Sequence, residues 1–255
     1  MEQYNSIQWE IVEKGLGVLT LNRPKAYNSV NGEMLDELEA FWHKRLYDLD
    51  TLVILLQGAG EKGFCAGLDM KYVMENAAQL GNPREMYKFQ ARLGRINLAM
   101  RRAPQPIIGL FFGAAAGVGF SFALASDIRI ITPDARFCAA YINIGLGGAD
   151  MSCSYLLPRI IGAGRAYEIM YLGEFISSSD ALNLGMVSRM VPREELYSTG
   201  LQMAKTMLTK NHFALRLTKE AINMNLDAGG MEQALNMEDR NQILITLASG
   251  VKSTV

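Results

Sequence analysis

The sequence predicts an α/β protein that turns mostly helical in its last third. Three observations carry that expectation. Short apolar runs, each the length of one buried strand, lead into glycine-rich turns and then helical patterns around residues 58–69 and 113–119. A strand–strand–helix rhythm recurs through the first two-thirds of the chain. From Gly162 onward helical spacing dominates, without a long linker, a low-complexity segment or a tandem repeat.

Taken in order, Ile7, Trp9 and Ile11 alternate and are followed, after Gly15–Gly17, by Val18 and Thr20, which reads as a hairpin. Met34, Leu35, Leu38, Phe41, Trp42 and Leu46 fall on one helical face behind Asn31, a natural N-cap. Residues 51–56 read as a buried strand, and the glycine-rich stretch 58–69 precedes a helix. Asn82-Pro83 opens a longer helix that turns Met86, Phe89, Leu93, Ile96 and Met100 inward. Residues 107–112 are again a strand, and 120–126 a buried helix. Residues 128–131 and 136–139 are short strands. A third glycine-rich turn, 145–150, leads into another helix. Ser177–Ser179 starts a helix that Gly185 stops, and 211–248 hold two more.

Residues 107–126 carry no charge over the length of a membrane span. Gly109, Gly113, Gly117 and Gly119 argue for a strand, turn and helix instead. The 255 residues are 49% hydrophobic and 20% charged, the range of globular proteins, and the net charge of −1 gives no footprint for nucleic acid. Three cysteines and two histidines at no ligand spacing speak against a metal site or a disulfide framework. The first residues lack the basic and apolar regions of a signal peptide, so a cytoplasmic location is expected.

A strand–turn–helix junction leaves the first helical N–H groups without partners at the positive end of the helix dipole. Two such junctions could aim two N–H donors at one developing negative charge. Most glycine-rich turns serve backbone geometry alone.

The segments FCAGLDMK (Phe64–Lys71), GAAAGVGFSFALASDIRI (Gly113–Ile130) and LNRPKAYNSVNGEM (Leu21–Met34), followed by GLGGADMSCSYLLPRIIG and MVSRMVP, resemble the crotonase superfamily of enoyl-CoA hydratases and isomerases across roughly residues 7–248. The resemblance implies a spiral of ββα units over residues 1–195, holding an acyl-CoA site, and a helical oligomerisation region over 196–255. It implies homotrimers or homohexamers acting on acyl-CoA thioesters, with no cofactor beyond coenzyme A as part of the substrate. The thioester oxygen would be held by the N–H groups of Leu68 and Val118. The second position is commonly glycine in the family, so the branched Val118 side chain would narrow the pocket or tilt the turn. Coenzyme A would be lined by Ala26, Tyr27, Ala66 and Asp69, mostly through backbone, with Lys25 or Lys71 near its phosphates.

The chain departs from the hydratase pattern at two positions. Where that pattern has glutamates, this sequence has Ser121 and Tyr141. Serine is no acid at neutral pH, and tyrosine, with an ordinary pKa of about 10, is better suited to donating a hydrogen bond. Asp150 matches a catalytic aspartate of some family members if one residue is added in 145–149. It stands equally well as the N-cap of the following helix. Glu75 and Glu85 are further carboxylates that could reach the pocket. Cys65, without a histidine beside it, reads as a buried thiol. The expectation is an acyl-CoA hydratase or isomerase with Asp150 as main acid/base and Tyr141 assisting. A cyclic or aromatic acyl-CoA would suit Tyr141, Phe120 and Phe122. Dehalogenation lacks its histidine, and a non-catalytic acyl-CoA-binding subunit is the alternative outside enzymes. Only Lys252 is basic in the last residues, so fewer contacts to nucleotide phosphates across subunits are expected than from a basic tail.

Overall fold

The computed structural model describes residues 4–249, so Lys252 lies outside the described residues. The predicted hairpin is β1 (Ile7–Glu13) and β2 (Leu16–Leu21), antiparallel and joined at Gly15. Helix α1 (Gly32–Arg45) buries Met34, Leu35, Leu38, Phe41 and Trp42, and its Asn31 cap accepts the Met34 N–H at 3.0 Å. Strand β3 (Val53–Gly58) then runs parallel to β2. Two short helices, α2 (Met70–Glu75) and α3 (Ala77–Leu80), precede the long α4 (Pro83–Arg102). Strand β4 (Ile107–Phe111) is followed by β5 (Ala114–Ala116), by α5 (Val118–Ala125), whose eight residues are all buried, and by β6 (Ile128–Ile131) and β7 (Arg136–Cys138). The chain continues through α6 (Cys153–Ile161), α7 (Ala163–Leu172), β8 (Ile176–Ser177), α8 (Ser178–Asn183) and β9 (Arg189–Met190). It ends in α9 (Leu196–Leu208), α10 (His212–Asn225) and α11 (Met231–Ala248).

The main sheet has the order β1-β2-β3-β4-β6-β9 and is parallel except for β1, while β5-β7-β8 form a smaller second sheet. A parallel strand must be reached by a crossover, and helices supply the crossovers here and cover both faces. Side-chain alternation sorts the main strands cleanly. Leu19, Leu21, Ile54, Leu56, Ile107 and Phe111 face the core shared with α1, α4 and α5. Leu16, Val18, Val53, Leu55, Ile108 and Leu110 face a second core closed by Leu196 and Ala204 of α9. Helix α9 lays its apolar face against one side of the sheet, and α10 and α11 follow it.

Helix α10 is fastened to the body by one buried cation. Lys219 Nζ lies 2.8 Å from Asp127 Oδ2 and donates to the carbonyls of Gln105 (2.8 Å) and Met100 (3.1 Å), while Arg101 closes on the same aspartate at 3.0 Å. The charge-free stretch 107–126 forms β4, β5 and α5. Among the described residues, no helix is long and apolar enough to cross a membrane.

Candidate active site

Two glycine-rich segments run side by side. Cys65 and Ala115 are parallel bridge partners: the Cys65 N–H donates to Ala114 O at 3.1 Å, and the Ala116 N–H to Cys65 O at 3.0 Å. Three residues further along the two segments stand Leu68 and Val118. Glycine makes this approach possible. A Cβ on Gly119 would sit 2.4 Å from Cys65 O, and Gly67 adopts φ +107, where a side chain is strained. Val118 opens α5, so its N–H has no intrahelical acceptor. Neither the Leu68 nor the Val118 N–H has an acceptor among the described residues. Both residues line one small cavity of about 120 Å³, together with Ala66, Gly67, Gly117, Tyr141 and Asp150. Val118 is buried within the core cluster and also lines the cavity.

A second loop anchors the Leu68 segment. Val30 donates to Gly67 O and Asp69 to Val30 O, while Ala66 donates to Tyr27 O, so residues 26–30 and 66–69 are laced together. Asn28, buried in a left-handed conformation, accepts the Arg23 N–H at 2.9 Å and donates to the carbonyls of Ala59 (2.9 Å) and Phe64 (3.1 Å). Asp69 caps α2 and pairs with Arg23 at 2.9 Å. Burial alone would raise its carboxyl, but the Arg23 hydrogen bond and the N–H groups of Tyr72 and Lys71 outweigh it and hold the carboxyl below its ordinary value. With side chain and N–H both engaged, Asp69 is scaffold rather than a free ligand. Lys25, Tyr27 and Ala66 are exposed around the approach to the cavity, and Ala26 is half-buried beside them. Lys71 points into solvent and pairs with Glu75 at 3.7 Å. Lys62, which sequence reasoning passed over, places its ammonium 4.5 Å from the Tyr27 ring centre.

Asp150 stands where the cavity opens into an apolar cleft of about 500 Å³ walled by Val73, Leu80, Met86, Phe89 and Leu146. It is not the N-cap of α6. That helix starts at Cys153, because Met151 and Ser152 take left-handed conformations (φ 42 and 66) and break the run. Asp150 Oδ1 instead accepts two hydrogen bonds, from the Met151 N–H at 2.7 Å and from Gln90 Nε2 at 2.5 Å. Burial pushes its carboxyl above the usual carboxylate range, against the pull of those two donors. Helix α4 grips the same segment again through Asn97, whose Nδ2 donates to Met151 O at 2.6 Å and to Ser152 Oγ at 3.1 Å. Gln90 and Asn97 are polar residues seven apart on the inward face of an apolar-patterned helix, and that spacing was the signal available for them. Met86, expected inside, is exposed at the cleft.

The two positions where the hydratase pattern has glutamates do meet in space. The Tyr141 hydroxyl donates to Gly117 O at 2.7 Å, so the Ser121 hydroxyl, in short contact with it, is the donor between the two. Burial raises the phenol far above its ordinary pKa. Tyr141 thus braces the turn before Val118 with its hydroxyl instead of offering it to a ligand, which corrects its expected assisting role. Phe120 and Phe122 are packed in the core, 0% and 2% exposed, so neither offers a face to a flat substrate. Glu85 pairs with Lys88 at 2.7 Å, and neither Glu75 nor Glu85 lines the cavity or the cleft. Cys65 is buried, and its thiol is pushed up to about 12 by desolvation, which removes it as a nucleophile.

The enoyl-CoA hydratase/isomerase family model matches residues 12–251. The 1,2-epoxyphenylacetyl-CoA isomerase of Escherichia coli K12 is 37% identical to the chain over 231 residues, covering 89% of it and 85% of the relative. The short-chain-enoyl-CoA hydratase of Clostridium acetobutylicum is 31% identical over 218 residues, covering 84% and 80%. Among solved structures, an enoyl-CoA hydratase of Mycobacterium smegmatis superposes with a TM-score of 0.87 at 30% identity, covering 95% of this chain and 91% of its own.

Proposed function

From the premise that the chain belongs to the enoyl-CoA hydratase/isomerase family, with its crotonase fold and its acyl-CoA chemistry, we propose that it shifts a double bond in an enoyl-CoA thioester, using Asp150 to move the proton. The observation that carries this reading is the position of Asp150. It lines both the small cavity shared with Leu68 and Val118 and the apolar cleft beside it, and it is the one carboxylate lining either among the described residues.

A thioester carbonyl oxygen in the small cavity would accept the Leu68 and Val118 N–H groups. Asp150 takes a proton from the α-carbon of a β,γ-enoyl thioester, and the charge spreads onto that oxygen as a dienolate. Preformed amide donors in a site with little water stabilise the charge without reorganising. The same carboxyl then returns its proton to the γ-carbon, leaving the double bond conjugated with the carbonyl. One group on one side of the acyl chain suffices for both transfers. Hydration by two glutamates has no counterpart here, since Ser121 and Tyr141 are bonded to each other and to Gly117. Coenzyme A would enter past Ala66, Tyr27 and Ala26, with Lys25 or Lys62 near its phosphates. The working unit is a homotrimer or homohexamer.

Asp150→Asn tests the assignment. Turnover of trans-β,γ-hexenoyl-CoA to its conjugated isomer should fall on the order of 10²–10⁴-fold, while the affinity for hexanoyl-CoA by calorimetry stays unchanged. A variant with wild-type turnover removes Asp150 from the chemistry. A wild-type enzyme that hydrates the conjugated thioester but leaves the β,γ isomer untouched removes isomerisation.

A further inference from the structure

The Asp150 carboxylate is bonded unevenly. Both donors, Gln90 Nε2 at 2.5 Å and the Met151 N–H at 2.7 Å, fall on Oδ1, and Oδ2 has no protein partner among the described residues. An ionised carboxylate only accepts, so the Gln90 amide must present its nitrogen. Gln90 reaches Asp150 across sixty residues of sequence from the middle of α4, and it lines both the small cavity and the cleft. The main chain beside Asp150 is held in the left-handed region at Met151 and Ser152, a conformation that persists only where neighbours enforce it. Asn97, two turns along α4, supplies that enforcement by holding Met151 O and Ser152 Oγ. The other titratable groups around Asp150 are the Tyr141 phenol and the Cys153 thiol, and burial keeps both neutral.

We propose that Gln90 is a positioning residue for the reaction: it pins Oδ1 of Asp150, fixes the rotamer, and leaves Oδ2 as the single oxygen that takes and returns the proton. This inference rests on Asp150 being the base. A proton carried from the α- to the γ-carbon must stay with one oxygen that can face both, and a freely rotating carboxylate would lose that alignment. The same hydrogen bond favours the charged carboxylate in a site where burial opposes it, which keeps the base ionised at lower pH.

The test compares Gln90→Met and Gln90→Glu with wild type and with Asp150→Asn on trans-β,γ-hexenoyl-CoA, with circular dichroism and thermal melting to follow folding. Gln90→Met keeps the length of the side chain and removes the donor. Its kcat should fall about tenfold, the value of a hydrogen bond to a charged group, with KM unchanged and the acidic limb of the kcat–pH profile moved to higher pH. Gln90→Glu keeps the shape but sets a second carboxyl against the first, and should move the acidic limb further up. If Gln90→Met fails to fold, the limb of Gln90→Glu decides alone. Wild-type kcat and an unmoved limb in the folded variants overturn the inference. So does a raised KM with unchanged kcat, which would make Gln90 a plain substrate contact. If Asp150→Asn is inactive and the Gln90 variants are normal, only the role of Gln90 falls. If Asp150→Asn turns over normally, the assignment of the base falls first.

Discussion

Asp150 holds its proton to higher pH in the folded protein than it would in an unfolded chain, because burial outweighs its two hydrogen bonds. The sign of the linkage follows. Stability associated with that proton is complete below the ordinary carboxylate pKa of about 4 and is lost as pH rises through the raised native value. Asp150→Asn keeps the acceptor oxygen and cannot ionise. Urea denaturation should therefore find it level with wild type in acid and more stable at neutral pH; a variant less stable at neutral pH would make Asp150 a structural residue. Tyr141 is the converse case, a buried hydroxyl committed to Gly117 O and Ser121. Tyr141→Phe strands the Ser121 hydroxyl and removes one of the two donors to Gly117 O, which keeps the Ser121 N–H at 3.0 Å, and should cost about 1–3 kcal/mol in the same denaturation experiment. Its kcat should drop through a loosened turn, but the kcat–pH profile should keep its shape, because a phenol raised so far does not titrate near neutrality. A limb lost from that profile would restore Tyr141 as a proton donor. The sequence exposed Asp150 through its resemblance and Tyr141 through its departure. It showed Gln90 only as a polar residue on an inward helix face and did not expose Asn28, because their partners lie about sixty and thirty residues away.

At the scale of elements, periodic segments were legible and junctions less so. Helix α1, helix α4 and the parallel strands announced themselves by apolar spacing, because each buries one stripe or one alternating face. Strand β5 did not. Its three alanines between glycines carry no strand signature, and its pairing with β7 and with Cys65 is set by segments distant in the chain. The start of α6 slipped from Asp150 to Cys153 because Asn97 and Gln90 hold the preceding residues out of the helix. The contact between α5 and the Cys65 segment is the junction most sensitive to size. Gly119→Ala would put a methyl group 2.4 Å from Cys65 O and 2.8 Å from Cys65 Cβ. Forcing the two segments apart should destabilise the fold by about 1–3 kcal/mol and lower kcat/KM together, as read by denaturation and steady-state kinetics. Wild-type values for both would mean that the close approach is not needed.

The whole molecule leaves its last two helices short of apolar contacts. Ile222 of α10 and Ile243 and Leu247 of α11 are 57%, 61% and 73% exposed, and Met231 is 79% exposed, side chains that the proposed assembly would cover. Sedimentation equilibrium should find a trimer or a pair of trimers, and a monomer at micromolar concentration would leave that surface without its proposed use. The chain-wide feature on which the proposed chemistry depends is that Leu68 and Val118, fifty residues apart in sequence, line one cavity, their segments brought alongside by the Cys65–Ala115 bridge. Infrared difference spectroscopy on hexanoyl-CoA labelled with carbon-13 at the thioester carbonyl tests directly whether their N–H groups act on a substrate. On binding, the carbonyl stretch should move to lower frequency as the Leu68 and Val118 N–H groups polarise the bond, and it should do so equally in Asp150→Asn. A band unchanged from that of the free thioester in water-excluding solvent would mean that no pair of amides holds the oxygen.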